Sequence, residues 1–129
     1  MKPKIIFFIP AVIWLIITII LLVIPGSDIP KATIFDLVYF DKWVHIGMFG
    51  MLTFLWGYPY VHAGFVPEKA CVIIAICAIF YGVLMEFIQK YFAYERTFDL
   101  LDMIADATGV LIATIWLFSR IKLRRSKNV

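Results

Sequence analysis

IIFFIPAVIWLIITIILLVI, residues 5–24, decides the fold class. These 20 positions hold no charged residue. As an α-helix they extend about 30 Å, the thickness of a hydrocarbon core. Pro10 predicts a kink inside the run, and Pro25-Gly26 ends it. The preceding Met1-Lys2-Pro3-Lys4 has the charge of a secretory leader. The apolar run is longer than such a leader needs, however, and Pro25-Gly26-Ser27-Asp28 replaces a small-residue cleavage site. The run therefore reads as a retained membrane span.

The rest of the chain repeats the pattern. Hydrophobic residues make up 64% of the 129, aromatic residues 17% and charged residues only 16%. A soluble domain is about half apolar and a quarter charged. Further spans are expected at about 43–60, 70–91 and 100–118. Between the first two spans, residues 32–40 are too short to cross and are expected at the interface. The expected fold is all-α: a polytopic bundle of four transmembrane helices in one domain, residues 1–119. A basic, mobile tail, residues 120–129, is expected to follow.

Four spans put both termini on one side, and the basic residues identify it as the cytoplasm. Lys2, Lys4, Lys69, Arg120, Lys122, Arg124, Arg125 and Lys127 fall inside on this reading. Lys31, Lys42, Lys90 and Arg96 fall outside. The first expected partner is the bilayer itself. The net charge of +3 comes from chain ends that meet anionic lipid, so no nucleic-acid partner is expected. Cys71 and Cys77 are six residues apart in one apolar run and point in different directions on a helix, as small fillers.

The acids sort differently. Asp28, Asp36, Asp41, Glu86, Glu95, Asp99, Asp102 and Asp106 fall on the outer half, and only Glu68 falls inside. Carboxylates contribute little to orientation, so this asymmetry has another cause. Glu86 and Asp106 lie well inside their helix ends. A charged carboxylate at mid-bilayer costs about 2.5–3.5 kcal/mol, so such groups face protein or water and are functional candidates. Ala75, Ala78, Gly82, Glu86 and Gln89 share one helical face; Asp102, Ala105, Asp106, Gly109 and Ala113 share another. Stripes of small residues mark close helix packing. Glu86, Gln89, Asp102 and Asp106 are thus expected to meet near the outer surface. Asp41, Lys42 and His45 join them from the second span, with Asp41 and His45 placed to touch at i,i+4. Arg96 and Asp99 complete the candidate binding set.

Each candidate also has a structural reading. Asp99 can cap the fourth helix, Arg96 can neutralise Asp99 or Asp102, Lys42 can snorkel, and the carboxylates can form a hydrogen-bond network. Tyr58, Tyr60, Tyr91, Tyr94 and Trp43 suit an interfacial belt.

Asp41-Lys42-x-x-His45 with Phe49, then Tyr81-Gly82 and Glu86-Phe87-x-Gln89, then Arg96, Asp99, Asp102 and Asp106-x-x-Gly109, together resemble the VanZ-like family of small bacterial membrane proteins. The likeness covers about residues 41–118. Family members often carry asparagine where Asp106 stands, and Gly-Arg where this chain has Glu95-Arg96. The resemblance implies a cell-envelope protein located in the bacterial cytoplasmic membrane and, for the name-giving member, a contribution to resistance against the glycopeptide teicoplanin. Three function classes stay open. One is an outward-facing acidic site for a glycopeptide or a cell-wall or lipid-linked ligand. The second is a membrane-embedded hydrolase or transferase whose catalytic candidates are His45, Glu86, Asp102 and Asp106. The third is a small transporter or structural partner, expected to be oligomeric. No motif assigns a cofactor or metal; a His-Glu-x-x-His sequence is absent.

Overall fold

The structure, a computed structural model, describes residues 2–25, 40–64, 67–93 and 97–127, with side chains up to residue 123. Every regular element among them is helical. A single 3-10 turn, Ile5–Phe8, leads into α1, Ile9–Val23. Then come α2, Phe40–His62, α3, Glu68–Phe92, and α4, Leu100–Lys127.

Local chemistry sets the ends. Pro10 stands in the first turn of α1, where its missing N–H has no intrahelical acceptor to lose, so the expected interior kink is replaced by a 3-10 entry. α2 stops at a turn in which Gly64 takes φ 80°, a left-handed conformation that glycine adopts without strain. Extended Pro67 precedes α3, with Glu68 in its first turn. Asp99 opens α4: its Oδ1 accepts the Leu101 N–H at 2.8 Å.

Three helical segments are long and apolar enough to cross a membrane: Ile5–Val23, Glu68–Phe92 and Leu100–Leu123. α2 is not among them. It carries Asp41, Lys42 and His45 and touches α1, α3 and α4, with its widest contact on α4. His45, Met48, Phe49, Leu52, Thr53, Gly57 and Pro59 of α2 are buried. Its other face is open, with Phe40, Trp43, Val44, Met51 and Tyr58 exposed.

Glycines make the α2–α4 contact close. A β-carbon on Gly109 would collide with the Ile46 carbonyl oxygen and reach Gly50 N at 2.9 Å. Lower down, Leu117 occupies the space above Gly57. The apolar centre consists of Leu22, Met48, Phe49, Ala78, Met85 and Val110; a second cluster joins Cys71, Leu117 and Ile121 at the opposite end. The last cluster corrects the expectation of a mobile tail from residue 120. α4 runs on through Lys127, and Ile121 packs against the bundle. Cys71 is buried, Cys77 exposed, and both are free thiols. The interfacial stretch expected at 32–40 lies outside the described residues as far as 39.

Candidate functional site

The start of α2, the end of α3 and the start of α4 meet at one end of the bundle, and each delivers ionisable side chains there. Lys42 is the outer hub. Its Nζ donates to Asp99 Oδ2, to Asp102 Oδ1 at 2.6 Å, and pairs with Asp41 Oδ2 at 2.8 Å. The long lysine stem carries its charge across the α2–α4 seam, so Lys42 is an ion-pair centre as well as a helix-end residue. Its ammonium holds the Asp99 carboxyl below the ordinary carboxylate range; burial opposes this and the Leu101 N–H assists it.

One turn deeper, His45 Nδ1 lies 2.8 Å from Asp106 Oδ1, and the imidazole stacks parallel to the Phe49 ring. His45 therefore pairs across to α4 rather than with Asp41, as the i,i+4 spacing suggested. Gly82 makes room for this pair, since a β-carbon there would lie 2.9 Å from Asp106 Oδ2. His45 Nε2 faces the other way and sits 3.9 Å from Asp102 Oδ1, beyond hydrogen-bond reach. Glu86 completes the floor, its Oε2 accepting the Asp99 backbone N–H at 3.0 Å.

Burial rises steeply with depth. The Asp41 side chain is 61% exposed and that of Asp99 37%, whereas Glu86 is 1% exposed, Asp106 3%, His45 6% and Asp102 8%. Four polar side chains thus lie dry beneath a wet rim. Two sets of three bring ligand-type atoms within 4.8 Å of one another: His45, Glu86 and Asp102 inside, and Asp41, Asp99 and Asp102 outside. The outer set surrounds the Lys42 ammonium. A shallow apolar groove along Ile46, Leu101, Ile104 and Ala105 runs down the α2–α4 seam from Lys42.

Seven of the nine candidates from the sequence, namely Asp41, Lys42, His45, Glu86, Asp99, Asp102 and Asp106, therefore share one site. Gln89 does not: its Nε2 donates to the Leu22 carbonyl of α1 at 2.9 Å. Arg96 lies outside the described residues. The sequence reading overlooked the polar atoms that dock α1. Thr18 Oγ1 and Tyr81 OH are 2.9 Å apart, and Trp14 Nε1 donates to the Met48 carbonyl at 3.0 Å. The only signal for these was a lone Thr and a lone Trp in an otherwise aliphatic run.

A scan of protein-family models, a search of curated proteins and a search of solved structures each return no match to this chain.

Proposed function

We propose that this chain is a four-span protein of the bacterial cytoplasmic membrane, with both termini inside and the His45–carboxylate site facing outward, where it binds a cationic, amine-bearing ligand of the cell envelope. One observation carries this reading: five carboxylates gather at one end of the bundle around Lys42 and His45. Such an excess of negative charge at a low-dielectric surface attracts cations. Asp41 and Asp99 form the accessible rim. Under the VanZ-like resemblance the ligand is a glycopeptide such as teicoplanin, and the basic end of α4 holds the opposite side of the bundle at anionic lipid.

Two measurements test the proposal. In a chain with Cys71 and Cys77 replaced by serine, Asp41→Cys is expected to react with an impermeant maleimide in intact cells, and Lys127→Cys only after permeabilisation. The reverse pattern rejects the orientation. Expression in a glycopeptide-sensitive host is expected to lower teicoplanin susceptibility, and His45→Ala to abolish the effect. Unchanged susceptibility with wild-type protein in the membrane removes the glycopeptide version.

A second reading has its own observation. The 2.8 Å His45–Asp106 pair fixes the imidazole with Nε2 directed at the carboxylates. An oriented histidine of this kind serves as a general base. The enzyme reading assigns that role to His45, with Glu86 or Asp102 as acid, toward a lipid-linked or headgroup substrate. Turnover that survives both His45→Ala and Glu86→Gln would remove it.

A further inference from the structure

The outer and inner halves of the cluster differ in one respect. The outer carboxylates Asp41, Asp99 and Asp102 already enclose a cation, the Lys42 ammonium. Of the inner set, Asp102 also bonds Lys42, whereas Glu86 accepts the Asp99 backbone N–H. There, the Glu86 and Asp102 carboxylates share a pocket with an imidazole that is more than nine-tenths buried. Nδ1 of that imidazole is held by Asp106, and Nε2 points toward Asp102 Oδ1, 3.9 Å away.

We infer that His45 Nε2, Glu86 and Asp102 bind a divalent metal ion, with Asp106 as the carboxylate that orients the histidine. The assignment rests on the proposed outward-facing site and deepens it by naming a ligand. It stands on three features. The donor set is mixed, one nitrogen and two oxygens, and three protein ligands leave further positions for water or for an oxygen of a bound molecule. The carboxylate–histidine pair reproduces the arrangement by which metal-bound imidazoles are oriented through their second nitrogen. The distances are close to what a metal needs. Bonds of about 2.0–2.2 Å in a tetrahedron put ligand atoms about 3.4 Å apart. His45 Nε2 and Asp102 Oδ1 are 3.9 Å apart, and all three donors lie within 4.8 Å of one another.

Asp102 belongs to both halves. Its Oδ1 is bonded to Lys42 and is also the oxygen facing His45. A bound ion would therefore compete with Lys42 for this carboxylate and couple the inner site to the rim.

The test uses the full chain in detergent, stripped with chelator and titrated with MnCl2, reading free Mn2+ by its paramagnetic resonance signal. Mn2+ is chosen because its preference for oxygen and imidazole disfavours the two thiols. One ion per chain is expected, weakened at least tenfold by Glu86→Gln and by His45→Ala. Asp106→Asn, which keeps an oxygen acceptor for Nδ1–H, is expected to weaken binding about 10–100-fold. Helicity by circular dichroism confirms that each variant is folded; where one is not, the electron–nuclear coupling of a single imidazole nitrogen to Mn2+ in the wild type serves instead. Two results overturn the inference: no wild-type binding at millimolar Mn2+, or binding of unchanged strength in both Glu86→Gln and His45→Ala. Neither bears on the outward orientation, which maleimide labelling of Asp41→Cys reads independently.

Discussion

Lys42 carries much of the electrostatic burden at its end of the bundle. Its ammonium satisfies three carboxylates, one on α2, one on α4 and one in the segment that leads into α4. Two of those partners are partly exposed, so the pairing lies between a surface salt bridge and a buried one. Lys42→Met is expected to destabilise the protein by about 1–3 kcal/mol, between the limits for exposed and buried pairs. Thermal unfolding in detergent measures the loss, and an unchanged midpoint would make Lys42 a snorkelling anchor after all. Glu86 and Asp106 were legible as candidates because intramembrane carboxylates have few structural uses. The Lys42 hub was not legible, since snorkelling is the usual behaviour of a lysine at a helix end. Gln89 misled for a related reason. It shares the Glu86 face, but a side chain one turn further along reaches a different neighbour, the free carbonyl of Leu22 near the end of α1.

At the scale of elements, glycine spacing decides how closely α2 and α4 approach. Three of the four glycines on these helices make a graded series. A β-carbon on Gly109 meets backbone, one on Gly50 comes to 3.3 Å of the Gly109 carbonyl oxygen, and one on Gly47 meets nothing within 4 Å. Gly109→Ala is expected to cost about 1–3 kcal/mol through forced separation of the helices. Gly50→Ala should cost less, and Gly47→Ala should be neutral or slightly stabilising because alanine is the better helix former. Unfolding midpoints in any other order would place the α2–α4 crossing elsewhere. The small-residue stripe of α4 was readable from the sequence. It meets the α3 stripe where Gly82 faces Asp106, but its closer contact with α2 was not legible, because the glycines of α2 lie among aromatics rather than in a clean stripe. α1 depends on a few polar contacts. Interhelical hydrogen bonds in membranes contribute about 0.6 kcal/mol on average. Gln89→Leu is therefore expected to lower the unfolding midpoint slightly and leave Mn2+ affinity unchanged; a parallel loss of affinity would return Gln89 to the site.

For the whole molecule, polarity is segregated along the bundle axis. One end holds the carboxylates, Lys42 and His45; the other holds the Cys71–Leu117–Ile121 cluster and leads to Arg120 and Lys122. Composition alone made an apolar helical bundle evident, and exposed apolar side chains lie on all four helices. The contact of α2 with each of the other helices was not evident, since its polar residues lower the apolarity by which a span is read. A network built only to hold helices together would lose stability when its charge is removed. A site maintained for a ligand keeps its carboxylate at a cost to stability. The decisive comparison is the thermal unfolding of wild type and Glu86→Gln, both in the same detergent with chelator present. Glutamine keeps the shape and an oxygen to accept the Asp99 N–H, and removes only the charge. A midpoint for Glu86→Gln equal to or above wild type is the predicted result; a clearly lower midpoint would show that Glu86 belongs to a structural network and would contradict the account.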